Sequence, residues 1–156
     1  MPSYFRDPEA PAPNVPRRVG VTAIIERDGK FLVERRVDDP HEWAFVGGTV
    51  EEDEPVLDAL RREVREETGF EIERATLLGI FSDPTRVVAY PDSTVCRILS
   101  IAFRVVPRGD AEPMPSSESA GMELVSAEEL AARPLWPAHL PVREAILRGP
   151  REIVVE

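Results

Sequence analysis

A chain of 156 residues has the size of one domain, and its 42% hydrophobic content is sufficient for a buried core. The formal net charge of −10 argues against a nucleic-acid polymer as partner, because phosphate backbones are bound through Lys and Arg. No apolar run approaches membrane-spanning length and the first residues lack the pattern of a secretory signal, so we expect no membrane contact and a cytoplasmic location.

The first sixteen residues are predicted to form an extended or disordered arm. Prolines recur through this segment, at positions 2, 8, 11, 13 and 16, and apolar residues follow no regular pattern. The expectation is a loose tail; the alternative is that Tyr4 and Phe5 dock against another surface.

A β-hairpin is predicted next. The strand-like runs VGVTAIIE and FLVERR flank the turn Arg27-Asp28-Gly29-Lys30, and Asp-Gly between such runs is a hairpin signal. Arg35 and Arg36 end the second strand, where adjacent side chains face opposite ways, so at most one of them points toward any one site. His41 is expected to be a solvated loop residue, and the short strand WAFV then enters the glycines Gly47 and Gly48.

A helix is predicted from Val56 to Thr68. The segment Asp53-Glu54-Pro55 is typical of a helix start, and Gly69 is a common stop in the left-handed conformation. Val56, Leu57, Leu60 and Val64 recur at spacings of three and four, which predicts an apolar stripe that faces a core.

The same helix carries Glu63, Glu66 and Glu67 on one arc of its last two turns. Carboxylates near a helix C-terminus oppose the macrodipole and repel one another, and a bound cation would remove both costs. Oxygen-only ligands favour a hard ion, Mg²⁺ or Mn²⁺. The alternative is a solvated acidic helix with ion pairs such as Asp58–Arg62 and Arg62–Glu66.

Beyond the helix, strands are predicted over Ile72–Phe81 and Val95–Val106, with turns at Ser82-Asp83-Pro84 and Tyr90-Pro91-Asp92-Ser93. The lone Cys96 excludes an internal disulfide, fits a reducing compartment and is expected to serve packing. Residues 107–120 are predicted to be a mobile loop, followed by the strand MELV.

The rest of the chain is predicted to be helical. Ser126 and Glu129 form a capping box for a short helix around AEEL. A final helix runs through Leu147, with Leu140, Ile146 and Leu147 as expected core residues.

The stretch GGTVEEDEPVLDALRREVREETGF resembles the signature of the Nudix family, G-x5-E-x7-R-E-U-x-E-E-x-G-U, where U is a bulky aliphatic or aromatic residue. The signature positions are filled by Gly48, Glu54, Arg62, Glu63, Val64, Glu66, Glu67, Gly69 and Phe70. The resemblance implies an α/β fold, a Nudix-type α/β/α sandwich with a mixed β-sheet. We therefore expect one domain over residues 17–150, preceded by the arm 1–16 and followed by a tail at 151–156.

The resemblance also implies roles. The family hydrolyses a nucleoside diphosphate linked to another group, with a divalent metal ion that assists attack by water on phosphorus. Glu63, Glu66 and Glu67 match its metal ligands, with Gly47 beside the ion; Arg62 orients the acids, Glu54 supports it, and Gly48 and Gly69 shape the motif. The general base is Glu63 or a loop acid such as Glu118. Glu112 and Glu123 are the other candidates for this loop acid.

The substrate is less defined. An Arg at the position of Arg35 or Arg36 often reaches the substrate phosphates in the family, and Phe81, Tyr90 or Trp43 are candidates for stacking on a base. Pro84 lies where family members of the ADP-ribose type carry a proline, which makes an ADP-ribose or nucleoside diphosphate sugar pyrophosphatase the alternative to a triphosphate hydrolase.

Two alternative functions from other classes of protein remain. One is a non-catalytic nucleotide-binding module, against which the intact acid set argues; the other is an acidic interaction domain. Since an N-terminal segment crosses to a second subunit in some family members, the resemblance is compatible with a homodimer.

Overall fold

The computed structural model describes residues 1–37, 43–149 and 153–155. The strands are β1 Ser3–Tyr4, β2 Arg18–Arg27, β3 Lys30–Arg36, β4 Trp43–Ala44, β5 Val46–Thr49, β6 Ile72–Phe81, β7 Val87–Ala89, β8 Val95–Pro107, β9 Ser119–Val125 and β10 Val154–Val155. The helices are α1 Val56–Thr68, α2 Ala127–Ala132 and α3 Leu140–Arg148, with a 3₁₀ turn at Pro137–His139. None of the described helices is both long and apolar enough to cross a membrane.

The sheet is mixed and is built around β2. This strand runs parallel to β8 and antiparallel to β5, while its end pairs with β3 in the predicted hairpin. At the hairpin turn Asp28 and Gly29 both have positive φ, 51° and 72°, as the tight turn between two twisted strands requires. On the far side of β8 lies the antiparallel β6.

Helices cover both faces of this sheet. Alternate residues of β2 point to opposite faces: Val21, Ala23 and Ile25 pack in the cluster that contains Leu60 of α1. Ile24 packs in the other cluster, with side chains of α2 and α3. The predicted α/β/α sandwich with a mixed sheet is therefore confirmed.

Helix α1 has the predicted bounds. It ends at Gly69, whose φ of 73° is left-handed and whose N–H donates to the carbonyl of Arg65. Leu60 and Val64 are buried as expected, but Leu57 is 45% exposed, because it lies at one edge of the stripe, while Ala59 at the opposite edge is buried. The capping box at Ser126 and Glu129 is also present.

The arm is not a loose tail, and this expectation was wrong. Residues 3–4 form β1 and pair antiparallel with β7, and the Ser3 hydroxyl accepts a hydrogen bond of 3.1 Å from the Ala138 N–H. Further along, the Asn14 side chain bonds the Ser93 carbonyl and the Val95 N–H at 2.9 and 2.8 Å. Hydrogen bonds to backbone groups therefore hold the arm in place, although its apolar residues follow no regular pattern.

Smaller departures occur at the C-terminal end. Part of the predicted tail, Val154–Val155, pairs with β6 as a parallel strand. Ile146 is buried, but Leu147 is 39% exposed, since only one face of α3 meets the sheet. Cys96 is fully buried, in agreement with a packing role. His41 lies outside the described residues.

Candidate active site

A cavity of about 270 Å³ opens where α1 meets the glycine strand β5 and the first half of β2. Glu63, Glu67, Gly47 and Gly48 from the signature line one part of it. The hydrogen-bonded register of β5 on β2, with Gly48 opposite Val21, holds the glycine backbone against the acids. The predicted motif therefore lies at a real concavity.

Glu67 is the most buried acid of the motif, with 8% of its surface exposed. One carboxylate oxygen accepts a hydrogen bond of 3.0 Å from the Gly47 N–H, and the other lies 3.7 Å from the Arg36 guanidinium. Burial, followed by repulsion from the carboxylate of Glu34, raises the pKa of Glu67 to about 8. Two carboxylates thus share a low-dielectric site that is rich in negative charge.

Arg62 connects the loop before α1 to the acids on it. Its guanidinium makes two bonds to the Glu54 carboxylate, at 2.6 and 3.1 Å, one of 3.1 Å to the Thr49 carbonyl and one of 2.7 Å to Glu63. The Glu54 partner raises the pKa of Arg62, and the same bond lowers the pKa of Glu54. This fork fixes the carboxylate of Glu63 from one side.

Gly48 fixes Glu63 from the other side. A Cβ at Gly48 would overlap the carboxylate of Glu63, so the backbone approaches the acid as closely as only glycine permits. Burial raises the pKa of Glu63, while the hydrogen bond from Arg62 opposes that shift.

Arg36 and Glu118 also line the cavity. Arg36 lies 3.8 Å from Glu34 and donates a 3.2 Å hydrogen bond to Glu118, in addition to its contact with Glu67. Glu118 is 71% exposed but lines the cavity. Of its competitors, Glu112 is exposed elsewhere, and Glu123 pairs with Arg133 at 2.7 Å.

Glu66 is placed apart from the other two acids of the motif. Its side chain is 61% exposed, lies outside the cavity and makes a weak contact of 3.4 Å with Arg62. Within the described part of the chain, no three metal-binding side chains stand close enough together to hold an ion in this conformation. The donors nevertheless fit a hard divalent cation, because Glu63 and Glu67 offer only carboxylate oxygens, and, in addition to burial, repulsion between the two carboxylates raises the pKa of Glu67.

The candidates for substrate contact fall into residues that line the cavity and residues that do not. Tyr90 and Arg36 line the cavity, whereas Arg35 lies over the Trp43 ring at 5.7 Å on the outer side of β3. Phe81 is 1% exposed in the core and lines no part of the cavity, which corrects its assignment to the substrate. The reason is that buried aromatic residues and base-stacking ones look alike in a sequence.

The lining residues that sequence reasoning missed include Arg18, Trp136 and His139. His139 is 7% exposed and its Nδ1 accepts a 3.1 Å hydrogen bond from the Phe45 N–H. Burial, followed by the charges of Arg86 and Arg36, lowers the pKa of His139 to about 3, so the imidazole is neutral. No local sequence pattern predicts these positions, because these residues are far from the motif in the chain and only the folded structure brings them to the cavity.

Comparison with known proteins places these observations in a family. The model of the NUDIX domain matches residues 16–146. The chain is 37% identical over 130 residues to a CTP pyrophosphohydrolase of Escherichia coli, a match covering 81% of this chain and 89% of that one. An ADP-ribose pyrophosphatase of Methanocaldococcus jannaschii is 43% identical over 70 residues, which cover 44% of this chain and 41% of that protein.

Solved structures agree. The solution structure of the Escherichia coli ORF135 protein superposes with a TM-score of 0.68 at 31% identity, covering 89% of this chain and 94% of that one. A MutT protein of Bacillus halodurans has the same fold, with a TM-score of 0.70 at 22% identity over 88% of this chain and 86% of the other.

Proposed function

The chain belongs to the Nudix family of hydrolases, and from that membership we propose that its cavity hydrolyses a phosphoanhydride bond in a nucleoside triphosphate. The observation that carries the proposal is the pair Glu63 and Glu67, held by Arg62, Gly47 and Gly48 in one cavity with Tyr90. A cavity lined by both fixed carboxylates and an aromatic ring suits a ligand with phosphates and a base.

Nudix hydrolases depend in general on divalent metal ions. In this chain Glu63 and Glu67 would hold Mg²⁺ or Mn²⁺, with Glu66 and the Gly47 backbone as further ligands. Such an ion supplies positive charge for the phosphate oxygens and makes water a better nucleophile at neutral pH. A net charge of −10 would otherwise oppose the approach of an anionic substrate.

The side chains around the acids have separate tasks. Arg62 keeps Glu63 in one orientation through the Glu54 fork, and Gly48 leaves room for its carboxylate. Arg36 faces the cavity with a guanidinium that matches the geometry of a phosphate group. These groups position the substrate, which is a large part of catalysis in phosphoryl transfer.

Two carboxylates facing the cavity, Glu63 and Glu118, are candidates for the group that accepts the proton of the attacking water. Glu118→Gln decides between them, because Glu63→Gln would also weaken the metal site. If Glu118 is the base, Glu118→Gln should lose turnover with little change in KM; if Glu63 is the base, Glu118→Gln should change KM more than turnover.

Pro84 does not support the ADP-ribose alternative. It is exposed, its carbonyl accepts a bond from Arg97, and it lines no part of the cavity. The volume of about 270 Å³ lies just below the range of roughly 300–1,000 Å³ typical of ligand pockets, which suits one nucleoside better than two linked ones.

The test is a panel of nucleoside triphosphates and ADP-ribose with Mg²⁺ or Mn²⁺. We expect triphosphates to give a monophosphate and pyrophosphate, with kcat/KM at least tenfold above that for ADP-ribose, about 1.4 kcal/mol in transition-state binding. A preference for ADP-ribose would overturn the substrate class, and the absence of any hydrolysis would favour the non-catalytic module.

Glu67→Gln tests the site itself. We expect turnover to fall by orders of magnitude, because a neutral amide is a poor ligand for a hard cation. The fold should survive, since the amide oxygen still accepts the Gly47 N–H and the repulsion with Glu34 disappears. Asp58→Asn, on the exposed first turn of α1, is the control. Normal turnover at saturating Mg²⁺ would remove Glu67 from the site.

A further inference from the structure

Arg18 begins β2 and lines the cavity that also contains Glu63 and Glu67. Its guanidinium carbon lies 4.6 Å from the centre of the Tyr90 ring, a cation–π contact. A cation–π contact is not a hydrogen bond to an oxygen or nitrogen acceptor, so the guanidinium N–H groups keep their capacity for such acceptors.

The Arg18 side chain makes no hydrogen bond or ion pair within residues 1–37, 43–149 and 153–155, whereas Arg36 and Arg62 are bonded to carboxylates. Its charge acts at longer range on Asp92, where it adds to the hydrogen bond from the Thr94 N–H in lowering the pKa. An arginine carries five N–H donors, and in the partly exposed side chain of Arg18 these donors take their acceptors from the solvent or from the cavity. A ligand can supply them.

Tyr90, the aromatic residue that Arg18 contacts, is held in place by hydrogen bonds and packing. Tyr90 opens a tight turn in which its N–H donates to the Thr94 carbonyl and its carbonyl accepts from Ser93. The ring packs on the cluster of Ala44, Val88, Trp136 and Ala138. Asn14 of the arm bonds Ser93 and Val95 at the end of this turn, and these contacts help to set the position of Tyr90 before a ligand arrives.

We propose that Arg18 recognises the nucleobase of the substrate and selects a base with two adjacent hydrogen-bond acceptors, guanine or cytosine. The inference rests on the proposed hydrolysis of nucleoside triphosphates, and it adds the residue that decides between them. With the phosphates at Glu63 and Glu67, the base of a single nucleoside lies within the same small cavity as Arg18 and Tyr90.

The selection follows from donor and acceptor patterns. The N7 and O6 of guanine accept the two parallel N–H groups of an arginine, which is a common specific contact of this side chain. Cytosine offers the same pair through N3 and O2. Adenine has its amino donor beside N1 and N7 and offers no two adjacent acceptors, and uracil separates its two carbonyl acceptors by an N–H, so neither base satisfies the fork.

The experiment measures kcat/KM for CTP, GTP, ATP and UTP in the wild type and in Arg18→Gln, Arg18→Lys and Arg17→Gln. The wild type should prefer CTP or GTP over ATP at least tenfold. Arg18→Gln should reduce that preference to threefold or less, by a loss on the preferred substrate with ATP nearly unchanged. Arg18→Lys keeps the charge without the fork, so it should lose the preference as well.

Arg17→Gln is the matched control, because Arg17 is the exposed neighbour that lines no described cavity. It should keep the wild-type preference. An equal loss on all four triphosphates in Arg18→Gln would show that Arg18 binds phosphate and would overturn the proposal, as would a wild type without preference. Hydrolysis of no nucleotide by the wild type would instead refute the proposed function on which the inference depends.

A second measurement does not need catalysis. Binding of CMP, GMP and AMP, followed by calorimetry in the presence of EDTA, should show the same order in the wild type and no order in Arg18→Gln. Equal affinities in the wild type would contradict base recognition by Arg18.

Discussion

Arg36 is a cation surrounded by carboxylates. Glu67, Glu34 and Glu118 lie 3.7, 3.8 and 3.2 Å from its guanidinium. Two of these acids are buried, and unpaired buried charges are costly. Without a metal ion, Arg36 therefore compensates part of the negative charge that a divalent ion would neutralise.

The first prediction concerns Arg36→Gln. In EDTA its melting temperature should fall below that of the wild type, because Glu34 and Glu67 lose a positive neighbour. Saturating Mg²⁺ should raise the melting temperature more in the variant than in the wild type, since a ligand bound only by the native state stabilises it. Differential scanning calorimetry measures both shifts.

The control is Arg35→Gln, one residue away on the exposed side of β3. It should respond to Mg²⁺ as the wild type does. An equal increment in the wild type and in Arg36→Gln would contradict a competition between Arg36 and the ion.

At the scale of elements, the side chain of Arg62 joins the loop before α1 to the helix. Arg62 bonds both Glu54 and the Thr49 carbonyl, while its neighbour Arg61 makes only an exposed pair with Asp58 in the described structure. We predict that Arg62→Lys, which keeps the charge but loses the fork, lowers turnover roughly a hundredfold through misplacement of Glu63.

Arg61→Lys should leave turnover unchanged, because exposed pairs contribute little. Steady-state kinetics of the two variants give the comparison. Similar turnover in both would mean that the loop is held by other contacts.

The arm is an element in its own right, and Asn14 is its link to the turn that carries Tyr90. We predict that Asn14→Ala lowers the free energy of unfolding by about 1 kcal/mol, the net value of a typical pair of partly exposed hydrogen bonds. Urea unfolding measures this loss, and amide exchange at Val95, whose N–H donates to Asn14, should accelerate. Glu9→Ala, exposed in the same arm, should change neither quantity.

Elements with local signals could be predicted from the sequence. The Asp28–Gly29 turn, the capping box at Ser126 and the span of α1 each depend on a few neighbouring residues, and the structure has them where they were predicted. The short strands β1 and β7 carry no periodicity, and their pairing joins segments far apart in the chain.

The candidate site likewise contains residues that a local motif predicts and residues that it does not. Glu63, Glu67 and Gly48 come from one contiguous motif, whereas Arg18 and His139 reach the cavity from distant elements. The exposure of Glu66 also could not be predicted, because a helical arc places Cβ atoms and not the ends of long side chains.

The stability of the whole molecule depends on the protonation state of His139. In its neutral form the Nδ1 of His139 accepts a hydrogen bond from the Phe45 N–H, and its ring centre lies 5.0 Å from that of Trp136. Its pKa is about 3 in the folded chain and near 6.5 in the unfolded chain. Protonation therefore favours unfolding. The contribution of the neutral imidazole is complete above pH 6.5 and is lost progressively as the pH falls from 6.5 toward 3.

We predict that the wild type loses a few kcal/mol of unfolding free energy over this interval relative to His139→Gln, at about 1.4 kcal/mol per unit of pKa difference. The variant should be less stable than the wild type at pH 8, and its stability should change less between pH 6.5 and 4. Urea titrations at several pH values provide the two profiles. Parallel profiles would show that His139 does not carry this acid sensitivity.

The buried acids Glu34 and Glu67 have a consequence for the life of the protein in a cell. A divalent cation bound beside Glu67 would stabilise the folded chain, so the chain without the ion would open more often, and proteases act on the open form. Its half-life would then follow the supply of divalent cations. During magnesium starvation, degradation would reduce the amount of this hydrolase even if its synthesis were constant.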